Sequence, residues 1–135
     1  MLAARSVTIP PEHSTHCGVH IVIAEDNAIT RRKIELAVSQ LDWTFDSAVD
    51  GLEALVAVEG TAHNLCLLLA DIDMPRMTGI ELAKILKSIP SLARVPVVLM
   101  GWPHQESEAR EAKCDAFIAK PFSIDILLDC LESLA

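Results

Sequence analysis

The sequence has no long hydrophobic run, although it is apolar overall. Residues of the set AVILMFWYC make up 51% of the chain, and the mean hydropathy is +0.35. A membrane-spanning helix needs roughly 18 or more consecutive apolar residues, and runs such as residues 65–70 reach about a third of that length. Residues 1–11 also lack the continuous apolar stretch of a signal peptide. We therefore expect neither a membrane span nor export.

Positive charge and paired cysteines are also scarce. Lys and Arg total 11 against 19 Asp and Glu, for a net charge of -8, and this balance argues against direct binding to nucleic acid or anionic lipid. No Cys-x-x-Cys pair occurs in the chain, so its thiols are expected to be free in a reducing, cytoplasmic environment. The cysteines concerned are Cys17, Cys66, Cys114 and Cys130.

The 135 residues suffice for one compact domain, and the apolar fraction excludes disorder for most of the chain. Residues 1–17 differ, because Ser, Thr, Pro and His dominate there, and we predict a flexible tail followed by a domain over residues 18–135. The tail contains a string of potential metal ligands. The simpler interpretation is an unstructured segment, with the last of these ligands already in the first strand. The string consists of His13, His16, Cys17 and His20.

After the tail, short apolar and β-branched runs alternate with segments of helical period. The predicted strands are residues 19–24, 43–48, 65–70, 95–100 and 116–119. The predicted helices are residues 28–41, a short helix after residues 50–51, residues 79–88, a weak helix over residues 104–112, and a helix that begins at the N-cap Ser123. This alternation predicts an α/β fold: a doubly wound, five-stranded parallel sheet with helices on both faces.

The carboxyl ends of the predicted strands carry charged side chains, and in such a sheet the functional crevice lies at these ends. Glu25 and Asp26 follow the first strand, Asp71 follows the third, and Lys120 follows the fifth. Clustered carboxylates repel one another unless a cation lies among them, and an oxygen-rich open site suits Mg²⁺. A lysine can hold a phosphoryl oxygen, and an Asp carboxylate can be the nucleophile. These residues predict Mg²⁺-assisted phosphoryl transfer onto Asp71.

Four segments carry a resemblance to a known family. They are residues 23–27 (IAEDN), 50–55 (DGLEAL), 71–79 (DIDMPRMTG) and 120–122 (KPF). In this order, and at these strand ends, the sequence resembles the receiver domain of bacterial two-component response regulators over about residues 19–134. The resemblance implies a flavodoxin-like (βα)5 sandwich that acts as a signalling domain and not as an enzyme.

The resemblance also implies a role for each residue of the site. Asp71 aligns with the phosphoacceptor, which receives a phosphoryl group from a histidine kinase or a histidine phosphotransfer protein. Glu25 and Asp26 align with the acidic pair that holds Mg²⁺ together with Asp71, and the backbone carbonyl of Asp73 aligns with a further ligand. Lys120 aligns with the lysine that pairs with the phosphoryl group, and the peptide bond after it is expected to be cis.

The sequence departs from the family pattern at its two switch positions. Gly101 stands where the family carries a Ser or Thr hydroxyl that bonds the phosphoryl group, and bulky Trp102 follows it. Phe117 aligns with the aromatic switch residue but has no phenol hydroxyl. We expect the chemistry at Asp71 to persist. A missing hydrogen bond to a charged group removes about 1.5–3 kcal/mol, so the coupling from phosphate to the fourth and fifth helices is in question.

Two alternatives stand beside this reading. The segment from Asp71 to Asp73 resembles the nucleophile motif of haloacid-dehalogenase-type phosphatases, in which the second Asp is a general acid, but that resemblance covers this segment alone. The other alternative is a degenerate receiver that binds its partner independently of phosphorylation, as Gly101 suggests.

The remaining expectations concern partners and extent. With no output domain after residue 135, we expect a stand-alone receiver that signals by binding an unidentified downstream protein. The sequence leaves open whether the receiver is a homodimer. The basic run Arg31-Arg32-Lys33 is expected to be either a solvated helix face or a docking contact for the histidine donor.

Overall fold

The computed structural model describes residues 18–135 and contains a five-stranded sheet in which every pairing is parallel. The strand order is β2-β1-β3-β4-β5. The strands are β1 (His20–Ala24), β2 (Thr44–Ala48), β3 (Leu67–Asp71), β4 (Val97–Gly101) and β5 (Ala116–Ala119). This order confirms the predicted doubly wound parallel sheet.

Within the described part of the chain, five α-helices cover the two faces of the sheet. They are α1 (Ala28–Ser39), α2 (Gly51–Thr61), α3 (Gly79–Ser88), α4 (Glu106–Glu111) and α5 (Ile124–Leu134), with a short 3-10 turn, Pro103–Gln105, before α4. Helices α1 and α5 share one face, where Ile34 and Val38 cluster with Leu127 and Leu131. Helices α2, α3 and α4 supply buried residues to the core of the opposite face. Among residues 18–135 no helix is both long and apolar enough to cross a membrane.

The central strands are buried on both faces, which explains their nearly continuous apolar sequence. Every residue of β3 and β4 is buried, including Asp71 at the end of β3. A charged residue at the end of an otherwise apolar buried strand is costly unless partners surround it. The burial therefore points to the carboxyl edge of the sheet as the place where those partners lie.

Four of the five strands differ from their predicted bounds: β1 and β2 each begin one residue later, and β3 and β4 differ at both ends. Strands β3 and β4 each begin two residues later and end one residue later than the apolar runs suggest, because their backbone ladders set the limits. Leu67 pairs with Ile21 at the start of β3, and Asp71 pairs with Met100 at its end. Asp71 and Gly101 are consequently the last residues of their strands, not the residues that follow them.

Side-chain caps begin four of the helices at the carboxyl edge of the sheet. Each cap accepts a hydrogen bond from a backbone N–H in the first turn, which satisfies a donor that the helix leaves free. The predicted cap at Ser123 is confirmed. The four caps are Asn27, Asp50, Thr78 and Ser123.

The metal-ligand string of the tail falls almost entirely outside the described residues, since His13, His16 and Cys17 precede residue 18. His20 begins β1, as predicted, and both of its ring nitrogens have partners in β2. Nε2 lies 2.9 Å from a carboxylate oxygen of Asp46, and Nδ1 lies 2.7 Å from the hydroxyl of Thr44.

Candidate functional site

Three carboxylates meet at the edge of the sheet where β1 and β3 end. Glu25, Asp26 and Asp71 each offer an oxygen within 4.8 Å of the oxygens of the other two. Glu25 and Asp71 are only 2% and 3% exposed, whereas Asp26 is exposed. The sheet topology explains why these carboxylates lie together. Strands β1 and β3 are adjacent and parallel, so the residues at their carboxyl ends are neighbours.

Lys120 brings a positive charge to the same place. Its Nζ lies 2.7 Å from Oδ1 of Asp71. The backbone fixes its position, because the Lys120 N–H donates to the carbonyl of Gly101 at 2.8 Å. The Lys120-Pro121 peptide bond is cis, as predicted. The Asp73 N–H lies 3.4 Å from the same Oδ1. Both bonds reach one oxygen of Asp71, and Oδ2 accepts none from the described residues.

The environment of Glu25 is electrostatically unfavourable for a carboxylate. The Asn27 N–H donates to its Oε2 at 3.1 Å, but Oε1 is buried and has no hydrogen-bond partner among residues 18–135. Burial, and then the charge of Asp71, raise the pKa of Glu25 to about 7. A divalent cation among these oxygens would give Oε1 a partner and offset the repulsion. The all-oxygen donor set is the one that Mg²⁺ prefers, so the residues fit that ion.

A cavity of about 840 Å³ makes the site accessible. It extends from the three carboxylates along α1 to the segment between β5 and α5. Lys33 and Ile34 of α1 and Phe122 of the β5–α5 segment are among its lining residues. The cavity therefore reaches Asp71 from the side on which α1 and the β5–α5 segment lie.

The basic run of α1 matches the expectation of a solvated helix face at two of its three residues, Arg32 and Lys33. The Arg31 guanidinium is half-buried and donates to the carbonyl of Glu25 at 3.0 Å, which ties α1 to the site. Arg32 and Lys33 are exposed, and Lys33 lines the cavity. Arg31 thus has a structural contact that the sequence did not indicate, and a docking role for this run stays a prediction.

The remaining predicted residues lie around this centre. The Asp73 side chain is exposed and accepts a hydrogen bond from Gln105, and the role of its backbone carbonyl as a ligand stays a prediction. Gly101 ends β4 beside the site, and half-buried Phe117 packs against the core. The Trp102 ring lies over Lys120, with 5.7 Å from Nζ to the ring centroid.

Sequence reasoning missed two connections to the loop that follows Asp71. The side chain of Asp50 caps α2 and also pairs with Arg76, whose Nε lies 2.9 Å from Oδ2. The Glu53 backbone N–H and then Arg76 hold the pKa of Asp50 below its usual range. The other connection is the bond from Gln105 to Asp73. Asp50 begins one of the four motif segments, so the sequence offered a signal for it. Gln105 lies in none of these segments, and nothing in the sequence indicated its contact with Asp73.

Comparison with known proteins identifies the family. The family model for the response regulator receiver domain matches residues 21–132. The chain belongs to this family. A receiver domain is the phosphoacceptor module of two-component signalling, and this assignment confirms the fold and the general function that the motifs indicate. It favours this function over the phosphatase alternative, which depends on one segment.

Two curated relatives differ in how much of their length the receiver domain covers. A gliding motility regulatory protein of Myxococcus xanthus is 30% identical over 135 residues, which cover 97% of this chain and 17% of that protein. The chain thus spans less than a fifth of that relative. The polar-differentiation response regulator DivK of Brucella ovis is 28% identical over 116 residues, which cover 84% of this chain and 93% of DivK.

Solved structures with lower identity share the fold. The receiver domain of sensor histidine kinase PA1611 from Pseudomonas aeruginosa, with a magnesium ion in its active-site cleft, is 22% identical with a TM-score of 0.78 and covers 87% of this chain and 97% of that chain. The CheX–CheY–BeF3–Mg complex of Borrelia burgdorferi gives 20% identity and a TM-score of 0.80, with coverage of 90% of this chain and 92% of that chain.

Proposed function

We propose that Asp71 accepts a phosphoryl group from a phosphohistidine of a kinase or a histidine phosphotransfer protein, and that the protein then signals by binding a downstream protein. The observation that carries this proposal is the environment of Asp71. Its buried carboxylate lies among the oxygens of Glu25 and Asp26, and Lys120 contacts one of its own oxygens at 2.7 Å. The protein assists its own phosphorylation and the hydrolysis of its own aspartyl phosphate. We propose that it is a phosphoacceptor and not an enzyme that turns over a separate substrate.

The residues divide the chemistry among them. Oδ2 of Asp71, which accepts no hydrogen bond from the described residues, attacks the phosphorus atom of the phosphohistidine. The phosphorus–nitrogen bond breaks, and its electron pair leaves with the imidazole of the donor. Lys120 holds an oxygen of the transferring group as a point charge. Glu25, Asp26, Asp71 and the Asp73 carbonyl would hold Mg²⁺, which when bound neutralises charge on the carboxylates and phosphoryl oxygens. The magnesium ion of the PA1611 structure supports this choice of metal.

Direct phosphorylation tests the proposal. Incubation with acetyl phosphate and Mg²⁺ should increase the mass by one phosphoryl group. We expect no increase for Asp71→Asn and a strongly reduced one for Lys120→Ala. Asp73→Asn is the matched control, because only the backbone of residue 73 is assigned to the site, and it should still be phosphorylated. A phosphoryl group retained by Asp71→Asn would contradict the assignment.

Gly101 favours a second candidate function, a receiver that binds its partner without phosphorylation. The residue supplies no hydroxyl to a phosphoryl group on Asp71. In that case wild type and Asp71→Asn would bind the partner with the same affinity. A loss of affinity in Asp71→Asn, or a gain on treatment with acetyl phosphate and Mg²⁺, favours the phosphorylation-dependent function.

Location and partners belong to the same proposal. We propose that the protein is cytoplasmic, because thiols stay reduced in the cytoplasm. Among the described residues, Cys66, Cys114 and Cys130 are free thiols. The exposed Lys33 and the cavity beside it are the proposed docking place of the histidine donor.

A further inference from the structure

The side chain of Gln105 joins two segments at the edge of the site. Its Oε1 accepts a hydrogen bond from the Trp102 N–H at 2.8 Å, which closes the 3-10 turn that follows β4. Its Nε2 donates to Oδ1 of Asp73 at 3.1 Å. The Asp73 N–H in turn lies 3.4 Å from Oδ1 of Asp71. One carboxamide thus connects the loop after the acceptor residue to the segment that leads into α4.

Gly101 leaves the space in which this carboxamide lies. A Cβ atom on residue 101 would lie 2.7 Å from Oε1 of Gln105 and 2.7 Å from Cδ1 of Ile72. Both distances are far below an ordinary carbon contact, so a side chain at 101 would require the ends of Gln105 and Ile72 to move from their present positions. The absence of a side chain at 101 and the presence of the long amide at 105 are therefore two parts of one arrangement.

We propose that Gln105 is the positioning residue that couples the phosphorylation state of Asp71 to the segment from the 3-10 turn through α4, in place of a side chain at residue 101. The proposal rests on the proposed phosphorylation of Asp71. A phosphoryl group brings strong acceptor oxygens and negative charge beside Asp73. These oxygens compete with the Asp73 carboxylate for the Nε2 donor, and any movement of the carboxamide reaches the Trp102 N–H through Oε1.

The segment that receives this signal is suited to respond. Helix α4 has six residues, and Ala109 is its one buried residue. A short helix with few buried contacts has low local stability, so a changed hydrogen bond at its start alters its opening. Hydrogen exchange of the backbone amides of residues 102–111, of which Pro103 alone carries no N–H, therefore measures the coupling directly.

The test compares three proteins before and after treatment with acetyl phosphate and Mg²⁺: wild type, Gln105→Ala and Gln105→Glu. Intact mass shows whether each is phosphorylated, and hydrogen exchange reports on residues 102–111. Gln105→Ala removes both hydrogen bonds. Gln105→Glu keeps an acceptor for the Trp102 N–H but replaces the donor to Asp73. We expect all three to gain a phosphoryl group, and only wild type to change its exchange in this segment.

The outcomes separate the two proposals. Equal exchange responses in wild type and Gln105→Ala, with both proteins phosphorylated, would overturn the role of Gln105 and leave the phosphorylation of Asp71 intact. A wild-type response retained in Gln105→Glu would also overturn it, because Gln105 would then act only as a cap for the turn. If wild type gains no phosphoryl group, the proposed function fails and this inference fails with it.

Discussion

The carboxyl group of Glu25 is the single group whose charge conflicts most with its surroundings. Burial and the charge of Asp71 raise its pKa to about 7, from 4.5 for an ordinary Glu. The folded protein therefore binds this proton more tightly than the unfolded chain does. The resulting stabilisation is fully present below about pH 4.5 and is lost as the pH rises through about 7. Asp50, with its lowered pKa, titrates on the acid side of this window.

The raised pKa of Glu25 predicts that, without bound metal, the protein becomes less stable as the pH rises. In chelator, we expect the free energy of unfolding to fall by roughly 1–3 kcal/mol between about pH 5 and about pH 8, as measured by urea denaturation. In Glu25→Gln the decline should be shallower, because the amide does not titrate. Equal pH slopes in the two proteins would show that Glu25 does not carry the effect.

The contact between residues 101 and 105 predicts that substitutions at the two positions are energetically coupled. Gly101→Thr places a Cβ 2.7 Å from the ends of two flexible side chains, Gln105 and Ile72. Because these ends can shift, the cost should lie near the lower limit for overpacking, about 1 kcal/mol. In the Gln105→Ala background one of these contacts is absent, so the same substitution should cost less. Denaturation of wild type, both single variants and the double variant gives the coupling energy. Strictly additive costs would mean that the carboxamide moves aside freely.

At the scale of secondary structure, helix α2 offers two glycines in opposite environments. A Cβ on Gly51 would meet the carbonyl oxygen of Met77 and lie 2.6 Å from the Met77 Cβ. A Cβ on Gly60 would meet no atom of the described residues within 4 Å. The start of α2 therefore packs directly against the loop that follows Asp71. The Asp50–Arg76 pair joins the same two segments.

This contrast predicts opposite signs for the same substitution. Gly51→Ala should lower the free energy of unfolding by roughly 1–3 kcal/mol, because backbone of the neighbouring loop must move. Gly60→Ala should raise it by about 0.5–1 kcal/mol, because Gly is costly within a helix. Chemical denaturation of both variants beside wild type measures the difference. A Gly51→Ala protein as stable as wild type would contradict the close packing.

The elements also show what the sequence could reveal. Strand and helix periods predicted every element of the sheet, because burial on both faces leaves an apolar run and a cap leaves a polar residue before a helix. The ends of β3 and β4 could not be read in this way, because cross-strand pairing sets them. Gln105 escaped notice for a related reason. Its contact spans 32 residues of chain, and only the folded loop brings it to Asp73.

For the whole molecule, the site is a property of the sheet and not of any one segment. Strands β1, β3 and β5 deliver Glu25, Asp71 and Lys120 from distant parts of the chain, and the parallel order brings their ends to one edge. A cation held there by Glu25, Asp26 and Asp71 would join several elements at once. Its binding energy is consequently linked to folding of the entire domain.

This linkage predicts that Mg²⁺ stabilises the whole protein. At a concentration tenfold above its Kd, Mg²⁺ should add about 1.4 kcal/mol, which raises the unfolding temperature by roughly 5 °C for a chain of this size. Asp26→Asn should lose most of this gain, yet unfold near the wild-type temperature in chelator, because Asp26 is exposed. Asp129→Asn, the same change at an exposed position of α5, should keep the full gain. Thermal denaturation monitored by circular dichroism decides, and an equal gain in both variants would remove Asp26 from the metal site.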